Sequence, residues 1–250
     1  MRQPHILCTN EDVAEYVMMP GDPQRVLRAS DYLDQWREIA FNREFRTITG
    51  TYKNVPITIT STGIGGASTA IALEELIACG AKYLIRIGSA GALHEKIEIG
   101  DLVIPTAAVR EDGASKMYIM DNYPAVADFE ITKVLLDTCR QLDYPFHTGI
   151  IRSHDSFYID EEEERMSFWH KKKVIASDME TAALFTVSQL RGVYSASILN
   201  NVVKYKGALK ESIDRYVESE KKAEEGEKRE IVLALETFYQ LYMKKSMGNI

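Results

Sequence analysis

Three short stretches of this sequence set charged side chains among apolar or small residues, two of them beside glycine. The first is Met19-Pro20-Gly21-Asp22-Pro23-Gln24-Arg25. A glycine just before a helix start exposes backbone N–H groups, and an arginine in the first turn adds charge, so the pair can bind an anion. Taken alone, the stretch reads better as a turn followed by a surface arginine. The second is Leu84-Ile85-Arg86-Ile87-Gly88-Ser89-Ala90-Gly91, where an arginine interrupts a buried apolar run. A charge there is costly without a partner. A structural ion pair would satisfy it, but the glycine-rich continuation favours a bound anion, with Ser89 adding a hydroxyl and an N–H. The third is Ala176-Ser177-Asp178-Met179-Glu180-Thr181-Ala182-Ala183, two carboxylates between a strand and a helix of small residues. Asp178 has at least the role of an N-cap. Glu180 offers a charged acceptor suited to sugar hydroxyls.

Other candidates are weaker. Gly63-Ile64-Gly65-Gly66 is too short for a dinucleotide fingerprint and reads as tight strand-to-helix packing near a pocket. Phe157-Tyr158 follows a strand end and can stack on a planar ligand, although core packing fits equally. The five histidines (His5, His94, His147, His154, His170) show no ligand spacing, so no metal is expected. Cys8, Cys79 and Cys139 are scattered, odd in number and form no CxxC, which points to a reducing compartment and excludes a disulfide framework.

The elements that must position these residues follow from alternating patterns. Short apolar runs at 16–19, 83–87, 101–109, 146–151, 174–177 and 193–199 read as strands. Residues 44–52 and 55–62 flank Lys53-Asn54 as a hairpin. Helices are expected from Pro23 to Leu33 and over 67–79, 129–142 and 179–191. In the second of these, Leu73, Leu76 and Ile77 share a face, Glu75 lies opposite, and Gly80 stands where a C-cap glycine belongs. Residues 213–245 read as one or two helices, with the charged stretch 218–230 as a solvated face. Strands alternating with helices predict a single-domain, three-layer α/β/α fold over residues 1–250, built on a central mixed, largely parallel sheet. Ligands in such sheets sit beyond the carboxyl ends of the strands, where the three stretches lie.

Composition bounds the alternatives. With 37 acidic and 30 basic residues the net charge is −7, which argues against a general nucleic-acid binder. At 45% hydrophobic and 27% charged the chain is of ordinary globular type, with no membrane-spanning run and no signal-peptide core. The expected location is the cytoplasm.

Pro20-Gly21-Asp22-Pro23 with Arg25, Arg86-Ile87-Gly88-Ser89 and Asp178-Met179-Glu180, in that order, resemble the hexameric purine nucleoside phosphorylase and uridine phosphorylase family. The similarity runs from about Pro4 to the C-terminal helix. The resemblance implies cleavage of an N-glycosidic bond by inorganic phosphate as co-substrate, with no other cofactor. It makes Gly21, Arg25, Arg86 and Ser89 the phosphate cradle, joined by Arg43 from a neighbouring subunit. Met179 and Glu180 would hold the ribose, and His5 would cross the same interface to its 5′-hydroxyl. Phe157, Ser177, Asp178 and Asn201 would face the base. Arg86, Glu180 and Asn201 would take the catalytic roles. Shared sites imply a homo-oligomer of at least two chains, with a hexamer built as a trimer of dimers.

The base is read less directly. Purine members carry an Asp after a Ser at the end of the last central strand and uridine members an Arg, whereas this chain has Asn200-Asn201. An amide can hydrogen-bond a base but cannot act as a general acid. Uridine members also carry a Gln and an Arg after the Phe-Tyr pair; here Arg165 stands near that place and the Gln is missing. Arg215 resembles a helper arginine for position 201. The short stretch 158–178, Pro4-His5-Ile6 and Ser89 favour the purine branch. Ser61-Thr62-Gly63-Ile64-Gly65-Gly66 and the segment from Pro124 to Phe129 look more like uridine enzymes. A purine nucleoside phosphorylase is the leading expectation and a uridine phosphorylase the alternative. A hydrolytic nucleosidase has no use for three phosphate arginines, and a non-catalytic nucleoside-binding protein is the reading from outside the enzymes.

Overall fold

The computed structural model describes residues 1–205 and 213–248, and their side chains except those of 213–218. The chain opens with β1 (Tyr16–Pro20), α1 (Pro23–Ser30), β2 (Gln35–Asn42), β3 (Phe45–Tyr52), β4 (Val55–Thr60) and α2 (Gly66–Ala78). It continues through β5 (Tyr83–Ala92), β6 (Leu102–Glu111), α3 (Ala114–Tyr118), β7 (Ala125–Val126), α4 (Phe129–Gln141) and β8 (Phe146–His154). Last come α5 (Glu162–Lys171), β9 (Ala176–Asp178), α6 (Thr181–Arg191), β10 (Tyr194–Val203) and α7 (Ile213–Ser246).

The strands form one mixed sheet in the order β10-β6-β8-β9-β5-β1-β4-β3-β2, with β7 on β6. β10 also pairs in parallel with β5, so β5, β9, β8, β6 and β10 close into a ring. The pairings of β5 with β1 and β10, and of β8 with β6 and β9, are parallel. Antiparallel pairs are found in the β2-β3-β4 meander and where β9, β10 and β7 meet the ring.

Strand alternation divides the interior into two cores. Tyr16 and Met18 of β1 and Ile85 and Ile87 of β5 face one core, with residues of α1, α4 and α7. Val17, Met19 and Leu84 face the other, with residues of α2 and α6. Arg86 shares the parity of Leu84 and so points to the α2–α6 side.

Local chemistry explains the element ends. Asp22 caps α1 by accepting the Gln24 N–H at 2.8 Å, with Pro23 as the first helical residue. Asp128 caps α4 through the Ile131 N–H at 3.0 Å. Lys53 and Asn54 both take positive φ (50° and 65°), the twist a two-residue hairpin turn requires.

Several expectations need correction. α1 stops at Ser30 rather than Leu33. β2 was not expected, because as a largely exposed edge strand it carries no apolar run. α5 was hidden by its acidic first turn, and none of its residues is buried. β8 runs on past Ile151 through Arg152, Ser153 and His154, which are polar yet buried. Glu75 does not face solvent. Its carboxylate accepts the N–H groups of His5 and Ile6 at 3.0 and 2.9 Å and the His5 Nδ1–H at 2.6 Å, tying the N-terminal segment to α2. Among the described residues no helix is long and apolar enough to cross a membrane.

Candidate active site

The carboxyl ends of β1, β5 and β9 open onto a cavity of about 960 Å³. Its lining follows the strand order. Gly21 and Arg25 come from the end of β1 and from α1, and Arg86, Gly88 and Ser89 from β5. Ser177, Asp178, Met179 and Glu180 come from β9 and the turn after it. His154 comes from the end of β8, Phe157 from the loop after it, and Glu162 and Met166 from α5.

Arg86 organises the centre. It is 4% exposed and donates from Nε to Asp178 Oδ2 at 3.1 Å and from Nη2 to Glu180 Oε2. Burial works against its charge, but the carboxylates of Glu180 and Asp178 outweigh this and hold it firmly protonated. Its Nη1 has no hydrogen-bond partner among the described residues. That atom turns towards Gly21, on which an added Cβ would stand 4.0 Å from it. A Cβ on Gly88 would lie 2.7 Å from Nη2, so a side chain there would push the guanidinium off its two carboxylates. The glycine after the arginine thus lets the guanidinium fold back over its own strand.

The two carboxylates are anchored as well. Asp178 accepts the Ser153 hydroxyl at 2.6 Å and the Thr181 N–H at 3.0 Å, so it also caps the start of α6. Glu180 accepts the Gly65 N–H at 2.6 Å, which explains the otherwise unspecific Gly63–Gly66 loop. Burial raises the Glu180 carboxyl, while Arg86 opposes that shift.

Arg25 donates from Nη2 to the Ser89 hydroxyl at 3.3 Å and from Nε to Glu227 Oε2 at 2.8 Å. Its Nη1 lies 3.3 Å from Glu230 Oε1. The charged stretch 218–230 is therefore not a simple solvated face: Glu227 and Glu230 turn inward against the arginines of α1.

The chain matches the family model described as the phosphorylase superfamily over residues 15–229. The chain belongs to that superfamily. It is 47% identical over 208 residues to a uridine phosphorylase of Thermococcus kodakarensis, covering 78% of this chain and 75% of that protein. It is 39% identical over 197 residues to a guanosine phosphorylase of Halorubrum lacusprofundi, covering 79% and 81%. A crystal structure of uridine phosphorylase from Vibrio fischeri, complexed with 6-hydroxy-1-naphthoic acid, superposes with a TM-score of 0.92 at 45% identity, covering 96% of this chain and 97% of that one. Among its relatives this superfamily member is a nucleoside phosphorylase, a pentosyltransferase in reaction class.

Within this phosphorylase, the cavity gathers Gly21, Arg25, Arg86, Ser89, Phe157, Ser177, Asp178, Met179 and Glu180 from the expected set. Phe157 sits at the rim, 63% exposed and edge-on to Tyr158 at 5.1 Å. Arg43 and His5 do not line the cavity of their own chain. Arg43 is exposed in the β2–β3 turn, and His5 is held by Glu75. Asn201 does not line it either: it is fully buried, and its Nδ2 donates to the Glu98 carbonyl at 3.0 Å. β10 carries a register shift between Asn201 and Val203, and Val202 and Val203 line the cavity instead. Arg165 is also outside the lining, 3.8 Å from Glu111. The Arg215 side chain lies outside the described residues.

Sequence reasoning missed His154, Glu162, Glu227 and Glu230. The signal for the first two was present in Gly149-Ile150-Ile151-Arg152-Ser153-His154, a second arginine ending an apolar strand. For the last two there was none, because a carboxylate in a densely charged helix looks the same whether it faces in or out. Among the described residues no three His, Cys, Asp or Glu side chains gather as a metal site.

Proposed function

We propose that the chain catalyses phosphorolysis of uridine, giving uracil and ribose 1-phosphate. The observation that carries the reaction is Arg86, whose buried guanidinium engages Glu180 with one amino group and leaves Nη1 towards Gly21. One residue thereby links a cationic lobe suited to phosphate with a carboxylate suited to ribose hydroxyls. Gly21, Arg25, Arg86 and Ser89 hold the phosphate below the anomeric carbon. Met179 and Glu180 fix the sugar, and Phe157 covers the base. The bond to the base breaks as the sugar becomes oxocarbenium-like, and phosphate oxygen forms the new bond to the same carbon. Negative charge passes to the departing base, which polar groups at that end of the cavity stabilise. Inorganic phosphate is the co-substrate and no cofactor takes part. Arg43 and His5, which do not line their own cavity, complete the site of a partner in a dimer, itself part of a hexamer.

Uracil takes precedence over the purine expected from the sequence because two of the similar proteins above carry the name uridine phosphorylase. The similar guanosine phosphorylase keeps a 6-oxopurine as the second reading. Base release from uridine, inosine, guanosine and adenosine, each with and without phosphate, tests both. Release from uridine above every purine, and only with phosphate, is expected. Release indifferent to phosphate overturns the reaction, and a purine turned over faster than uridine replaces the base.

A further inference from the structure

Arg152 is the bulkiest fully buried side chain among the described residues, 1% exposed at the end of β8. Nothing in the proposed reaction uses it. Its Nε donates to Glu111, while Nη1 and Nη2 donate to the two carboxylate oxygens of Glu162 at 2.6 and 3.1 Å. Burying an arginine is unfavourable unless every contact repays it, and a two-pronged pair fixes both position and rotation of the carboxylate. Glu162 opens α5, a helix that buries none of its residues, and lines the cavity beside His154, Phe157 and Met166. The pair therefore holds a carboxylate at the cavity wall.

The strand order locates that wall. From β1 through β5 and β9 to β8, the lining passes from Arg25 and Arg86 to Asp178 and Glu180 and then to Glu162. On the reading above, this is the end that receives the base. A carboxylate accepts hydrogen bonds and donates none. It attracts a ring N–H and repels a bare ring nitrogen. Uracil presents such a donor at N3, and hypoxanthine and guanine present one at N1. Cytosine N3 and adenine N1 present lone pairs.

We propose that Glu162, oriented by Arg152 as a positioning residue, reads the Watson–Crick edge of the base and selects bases with a lactam N–H over their amino counterparts. The inference rests on the proposed nucleoside site but not on the choice between pyrimidine and purine.

The test is Glu162→Gln. Arg152 supplies only donors, so the amide oxygen keeps one of the two bonds while the NH₂, set donor to donor against the other amino group, is driven towards the cavity and replaces an acceptor with a donor of equal size. Phosphorolysis of uridine, cytidine, inosine and adenosine is measured at saturating phosphate, and that of uridine also against phosphate concentration. The variant is expected to lose at least tenfold in kcat/KM for uridine and inosine. The cytidine-to-uridine and adenosine-to-inosine ratios should rise at least tenfold, with the KM for phosphate within twofold of the parent. Both ratios staying within twofold overturns the assignment. Glu162→Asp keeps the charge on Arg152 but shortens the reach, so it should lower uridine turnover without raising the cytidine ratio; a parallel rise for cytidine also overturns it. Calorimetric binding of uracil and cytosine to the same proteins separates the two readings. An intact uracil preference that Glu162→Gln abolishes supports the reader even if the parent releases no base, whereas equal binding of both bases to parent and variant overturns it.

Discussion

Glu230 of α7 meets Arg25 of α1 in the interior, with Oε1 3.3 Å from Arg25 Nη1 and Oε2 accepting the Gly88 N–H at 3.2 Å. The carboxylate is fully buried and backs the lobe assigned to phosphate. Beside it Glu227 bridges Arg25 and Arg28; burial alone would raise its carboxyl, but Arg28 and Arg25 outweigh this and hold it below the usual range. The C-terminal helix thus sets the charge state behind the cationic lobe, a function of α7 that its surface-like composition conceals.

That contact has a consequence for stability. Burial pushes the Glu230 carboxyl up to about 8, with Arg25 pulling it back only in part. The folded chain keeps the proton while the unfolded chain, with an ordinary carboxyl near 4.5, gives it up. Stability from this group is complete below the unfolded value and is lost as pH rises towards 8, at up to about 1.4 kcal/mol per pH unit. Glu230→Gln is expected to raise Tm, by little at pH 4.5 and progressively more up to pH 8. Thermal unfolding of both proteins across that range checks it, and a difference independent of pH counts against the assignment.

Arg86 serves three directions at once, and lysine cannot. Arg86→Lys keeps a point charge but gives up the fork that spans Asp178 and Glu180. The KM for phosphate is expected to rise at least tenfold, with kcat/KM for phosphate falling by about 10²–10³, the scale of losing one aimed donor to developing charge. Initial rates against phosphate concentration decide, with the CD spectrum as the check on folding. Near-normal rates at low phosphate would remove Arg86 from the cradle.

The parts of this molecule that were legible in its sequence are those where one residue type has one physical use. Arg86 in an apolar strand, Pro23 at a helix start, and Lys53-Asn54 between alternating runs each announced their setting. The illegible parts depend on tertiary partners. Glu75 sits on the expected outer face of α2 yet is covered by the N-terminal segment. β2 has no apolar run because its faces are mostly exposed. Asn201 falls at the expected strand position, but the register shift that follows it in β10 brings Val202 and Val203, and not the amide, to the cavity lining.

Asn201→Asp tests that last difference. An acid at this position, if it faced the base, would improve cleavage of 6-aminopurine nucleosides. With Nδ2 donating to the Glu98 carbonyl, an aspartate would instead set two acceptors against each other in the interior. The expected result is a loss of about 1–3 kcal/mol, a fall in Tm of several degrees, and an unchanged adenosine-to-uridine ratio. A rise in adenosine turnover without loss of stability would return Asn201 to the base site.

Gly226 shows how tightly α7 is seated. In an exposed helix, replacing an interior glycine with alanine stabilises by up to about 1 kcal/mol. Here an added Cβ would lie 2.0 Å from Asn200 Oδ1 and 2.9 Å from the Gly100 Cα. The Asn200 side chain cannot turn aside without breaking its bond from Nδ2 to the Ala223 carbonyl at 2.7 Å. Gly100 is backbone, held by its own N–H donating to the Asn201 carbonyl at 2.9 Å. Gly226→Ala is therefore expected to destabilise by about 1–3 kcal/mol, against its helix propensity. Chemical denaturation of the single variants and of Asn200→Ala/Gly226→Ala provides the check. The double variant should lose less than the sum of the two single losses, because removing the amide frees space for the methyl. A Tm that rises in Gly226→Ala alone would mean that α7 does not close on β10 as described.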